Sequence, residues 1–117
     1  MSIISVLNKY EVGTIETAKE VYVMPGGSAG TLELQIINPP NNDNVITINA
    51  WVEPIAEATP TFNPAGVIWQ DYILLPGKAV VYDKFIMGTG ERLCVSYSGT
   101  SGTTLIVQFK GFIEVNV

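Results

Sequence analysis

The chain has 117 residues, with 6 Lys and Arg against 11 Asp and Glu, a formal net charge of −5 and no histidine. That length supports one domain with its own core, and with Arg92 the only arginine and five scattered lysines the charge argues against nucleic acid or an anionic membrane surface as a partner. Without histidine, the Ser-His-Asp, Cys-His and His-metal arrangements are excluded.

Residues 1–19 open on an apolar run, Ile3, Ile4, Val6 and Leu7, that is too short and lacks the basic flank of a secretory signal. The expectation is a soluble protein made in the cytoplasm. From Tyr10 to Glu20, Gly13 and the β-branched Val12, Thr14, Ile15 and Thr17 weaken any helix. This segment reads as irregular or as a short extended piece, so residues 1–19 are either an N-terminal arm or the first strand of a domain formed by residues 20–117.

The first clear strand is Glu20 to Met24, stopped by Pro25, Gly26, Gly27 and Ser28. A second, Gly30 to Ile37, alternates Leu32, Leu34 and Ile36 with Thr31, Glu33 and Gln35, as a strand with one wet face does. Residues 38–44 form a polar turn in which Pro39 and Pro40 supply no ladder donor. Its Asn and Asp side chains carry only one charge, too little for a calcium loop. Val45 to Val52 follows, with Ile46, Ile48, Ala50 and Val52 inward. Trp51 then falls on the nominally polar face, where a loop, a strand or a partner must cover it.

Residues 53–66, with Pro54, Pro60 and Pro64, form the longest irregular stretch, and loops of that length are commonly functional or cover something. Three strands follow in quick succession, Val67 to Leu75, Ala79 to Met87 and Arg92 to Tyr97, separated by Pro76-Gly77 and by Gly88-Thr89-Gly90. The second separator is not a phosphate loop, because strand rather than helix follows it. The last run, Thr103 to Val117, places Leu105, Val107 and Phe109 on one face, and Gly111 reads as the position of a bulge. Seven or eight short strands with a turn signal after each predict an all-β, antiparallel β-sandwich, jelly-roll or immunoglobulin-like, with less than about one-tenth helix. The expected core includes Leu34, Ile36, Ile48, Ala50, Val81, Phe85, Leu93, Val95, Val107 and Phe109.

No catalytic residue, cofactor site or metal site is expected. The lone Cys94 sits in an apolar run and reads as a small buried hydrophobe. The carboxylates Glu33, Glu53, Asp71, Asp83, Glu91 and Glu114 each alternate with apolar neighbours as solvent-facing residues do. Neutral amides at Glu53, Asp83 or Glu91 should therefore change stability only slightly. With 47% apolar and 15% charged residues, against the roughly 25% charged of an average domain, the chain is expected to cover apolar surface with partners. Candidate contact residues are Ile3, Ile4, Val6 and Leu7 at the N-terminus. In mid-chain they are Trp51, Phe62, Trp69 and Tyr72, for which core packing, a subunit contact and sugar stacking are the three readings.

Several segments share a pattern with one group of proteins: Val21 to Gly27, Leu75-Pro76-Gly77, Phe85 to Leu93 with its Gly90-Glu91 pair, and Gly111 to Glu114. Over roughly residues 20–115 the chain resembles small β-sandwich virion proteins of tailed bacteriophages, which include capsid decoration (cement) proteins and tail accessories. The chain departs from that pattern at Met24 and in the 53–66 loop. The resemblance implies a non-enzymatic structural protein of the virion that decorates the capsid, assembles as a homo-oligomer, with a trimer favoured, and contacts the major capsid protein. The alternative is a tail- or fibre-associated or carbohydrate-binding module that recognises a host-surface glycan.

Overall fold

Period-two alternation is realised as eight strands in the computed structural model, which describes residues 2–14, 18–55, 59–99 and 103–116. They are β1 (Ser2–Thr14), β2 (Lys19–Val23), β3 (Ser28–Ile37), β4 (Ile46–Pro54), β5 (Val67–Leu74), β6 (Ala79–Met87), β7 (Glu91–Ser98) and β8 (Thr104–Asn116). One 3₁₀ turn, Pro64–Gly66, precedes β5, and among the described residues no helix is long and apolar enough to cross a membrane. Residues 56–58 of the long loop and Val117 at the end of the predicted last strand lie outside the described residues.

Two antiparallel four-stranded sheets, ordered β1-β8-β3-β6 and β2-β7-β4-β5, pack face to face. β1 lies beside β8, β2 beside β7, β3 beside β6 and β4 beside β5, which is one long hairpin rolled into two layers, a jelly roll. The immunoglobulin arrangement keeps its first two strands in one sheet, whereas here β1 and β2 fall in different sheets. Residues 2–14 pair with β8 along their whole length, so this segment is an edge strand of its own domain, and the irregular reading of residues 10–14 is corrected.

The layer between the sheets holds Leu34, Ile36, Ile48, Ala50, Leu93, Val95 and Val107, all fully buried, with Phe109 nearly so. Each such Leu, Ile or Val side chain contributes about 1.5–3 kcal/mol by leaving water. The register of β4 is as read, with Ile46 and Ile48 inside and Val45 exposed. Two expected core positions differ. Val81 is 50% exposed and Phe85 only half-buried, while Val80 and Met87 are inside. A bulge accounts for Val81: from Leu32 to Leu34 on β3 the partner strand runs from Phe85 to Tyr82, three steps against two, so Phe85 keeps its inward side opposite Leu32 on an edge strand while Val81 turns outward. One extra residue changes which face every later side chain takes.

Gly111 is the opposite case. Its register with Leu7 on one side and Leu32 on the other is unbroken, so no bulge occurs there. Instead the backbone of β3 passes so close that a Cβ on residue 111 would meet the Thr31 carbonyl oxygen and lie 2.9 Å from Leu32 Cα.

Candidate functional site

Trp51 lies on the outer face of the second sheet and is nevertheless only 1% exposed. The chain covers it with its own loop: Phe62 packs edge-on at 5.4 Å between ring centroids. The loop is tied down by Glu53, whose Oε1 accepts from Trp51 Nε1 (3.2 Å), Thr61 N (3.2 Å) and the Cys94 thiol (3.3 Å). Asn63 adds a bond from Nδ2 to the Val52 carbonyl at 3.0 Å, and Gly66 lies against that same carbonyl, where no Cβ fits. Arg92 is buried beside this group, 3.4 Å from Glu53 and 3.2 Å from Glu20. The reading of Glu53 as an ordinary solvent-facing carboxylate is therefore corrected: it joins a buried charged cluster that holds the loop on the sheet. Burial, then the hydrogen bond to Glu53, push the Cys94 thiol up to about 12, which leaves it protonated and unreactive at neutral pH.

The other mid-chain aromatics form a separate group at the β5–β6 edge. Trp69 is half-buried against the core, with exposed Tyr72 tilted at 6.2 Å and Tyr82 edge-on at 6.1 Å. Phe62 and Trp51 are not part of it. A groove of about 420 Å³ beside this edge is lined by Asn63, Tyr82, Phe85 and Glu91 among others. Of the N-terminal candidates, Leu7 is buried within the chain itself, as Trp51 is in mid-chain, while Ile3, Ile4 and Val6 stand exposed on β1.

Register then assembles a surface that the sequence alone did not single out. On the outer face of the first sheet, Val6 pairs with Phe112, Phe112 with Thr31, and Thr31 with Ile86. The result is one row across all four strands. Val6 and Ile86 are each 76% exposed, Phe112 is 61% exposed and the adjoining Ile4 71%. Shallow grooves flank the row, one of about 350 Å³ that includes Lys110 and Glu33 and one of about 260 Å³ that includes Ile4 and Glu114.

Among the described residues no three His, Cys, Asp or Glu side chains converge as a metal would require. Asn38 and Asn42 use their amide NH₂ groups as donors to the carbonyls of Asn44, Leu74 and Thr104, stapling the 38–44 turn rather than presenting a ring of oxygens. Gly88 to Glu91 is a tight turn: Glu91 N bonds the Gly88 carbonyl, and Gly90 takes φ 81°, which only glycine adopts freely. Glu91 Oε1 accepts from Gly88 N at 2.6 Å and so braces that turn. No protein-family model matches the chain, and no curated protein matches its sequence.

Proposed function

We propose that this chain is a non-enzymatic structural protein of a phage particle, one that decorates or cements the capsid through self-association and contact with the major capsid protein. The observation that carries this reading is the in-register apolar row Val6–Phe112–Thr31–Ile86 on an otherwise regular sheet face. Three large apolar side chains aligned across four strands form a patch, and patches of this kind mark contact sites far more often than scattered single residues do. A thin module with weak lateral contacts suits a shell, because many copies on one lattice multiply small affinities. Purified particles test the reading by protein copy number. Hundreds of copies per particle support the capsid role, a handful move the protein to the tail, and none rejects both.

The second reading, glycan recognition by a tail- or fibre-associated module, draws on Trp69, Tyr72 and Tyr82 at the β5–β6 edge. Their rings stand at 49° and 85° to one another, so they present no flat platform for a sugar ring, and this reading has the weaker support. A glycan array on the full chain decides it: saturable binding lost on Tyr72→Ala would favour the module.

A further inference from the structure

We infer that the outer face of the β1-β8-β3-β6 sheet pairs with the same face of a second copy of this chain across a two-fold axis that runs along the Val6–Phe112–Thr31–Ile86 row. This rests on the self-association proposed above and names the surface and its symmetry. The argument is one of complementarity. β8 carries Lys110 two residues before Phe112 and Glu114 two residues after it, on the same outward face. A two-fold axis lying in the plane between two facing sheets, perpendicular to β8 and above Phe112, reverses the strand direction while keeping each strand over its own copy. Phe112 then meets Phe112 and Ile86 meets Ile86, and Lys110 of one copy faces Glu114 of the other, twice.

The neighbouring strand fits as well. Glu33, 3.8 Å from Lys110 in its own chain, comes to lie over the small Ala29, which the register places two residues beyond Thr31 on the Glu114 side. Lys110 is thus set between two carboxylates, with no like charges opposed on β8. A threefold ring, by contrast, needs two different mating surfaces on each copy, whereas this face is complementary to itself. The footprint of five residues along four strands is about 17 Å by 20 Å. That is less than half of the ~800 Å² per partner of a standard interface, the size of a weak, transient contact.

The test uses the full chain. Thr31 is exposed on the axis, so Thr31→Cys sets two thiols face to face at about the 10 Å spacing of packed sheets, too far for a direct disulfide but within reach of a short bismaleimide, and the native Cys94 is fully buried and does not compete. A short bismaleimide should crosslink T31C into a covalent dimer at least about tenfold faster than Ile73→Cys, an exposed site on the other sheet. In sedimentation equilibrium, Lys110→Glu should weaken wild-type pairing by about tenfold, since like charges then face each other, and the double swap K110E/E114K should restore it. Oligomers of any order that ignore both tests overturn the two-fold face while leaving self-association standing. A chain monomeric up to hundreds of micromolar that also binds no capsids overturns both.

Discussion

Gly111 sets how closely β3 and β8 approach, and because backbone rather than a flexible side chain faces its missing Cβ, the neighbours cannot yield without distorting two ladders. Gly111→Ala should cost about 3 kcal/mol, at the upper end of the overpacking range, read as a lower urea midpoint with unchanged m-value. Glu53 acts through charge. Glu53→Gln removes the better-buried of the two carboxylates, Glu53 and Glu20, that lie against the Arg92 guanidinium, and weakening a buried pair in this way should cost about 3 kcal/mol. Asp83→Asn, on the exposed bulge, should stay within about 0.5 kcal/mol. Cys94 gives the molecule an alkaline limit. Its thiol is held up to about 12 when folded, from an ordinary value near 9.0, so its contribution is complete below pH 9 and is lost as pH rises towards 12. Stability should fall by at most about 1.4 kcal/mol per pH unit across that window. The difference between wild type and Cys94→Ser isolates it, and native Cys94 should resist iodoacetamide at pH 8.

Bulges interrupt three of the four edge strands: one in β2 near Val21, two in β5 around Asp71 and Ile68, and one in β6 between Tyr82 and Phe85. Bulged edges resist edge-to-edge pairing with other chains. Deleting Asp83 would restore plain alternation in β6 while keeping Val80, Tyr82, Phe85 and Met87 on the inner face. The deletion should therefore fold with a midpoint close to wild type yet aggregate faster by turbidity, because its edge becomes straight. β1 is the unbulged edge, and it contributes Leu7 to the core. Removing residues 2–8 strips β8 of its partner from Lys110 to Asn116 and should lower the urea midpoint markedly rather than leave an intact domain. Strand positions were legible because alternation is local: Leu32, Leu34 and Ile36 or Leu105, Val107 and Phe109 declare their face within five residues. The bulges were not, because Asp83 and Lys84 look the same on a regular exposed face as in an inserted step. The cover over Trp51 was half legible. The tryptophan announced the need, but that Phe62 and Glu53 meet it depends on how the 53–66 loop folds back.

Strand order was beyond the sequence for a physical reason. Jelly-roll and immunoglobulin-like chains alternate in the same way, and only pairings such as β1 with β8, 90 or more residues apart in the chain, distinguish them. The apolar row is a product of those pairings: Val6 stood out in the sequence, Thr31, Ile86 and Phe112 did not, and the four become a surface only in this order. Two forces then act on that surface in opposite directions. Each copy carries a formal −5, so two copies repel at long range, while the apolar row attracts at contact. At 10 mM salt the screening length is about 30 Å and at 150 mM about 8 Å, so added salt removes most of the long-range repulsion. It leaves the apolar contact intact and only trims the two Lys110–Glu114 contacts, which set register more than strength. Pairing should therefore tighten by about two- to fivefold between 10 and 150 mM sodium chloride, measured by sedimentation equilibrium at pH 7.5. Weakening over the same range would mean that opposite charges, not apolar area, hold the copies together. The Phe112 row would then lose its role as the centre of the contact.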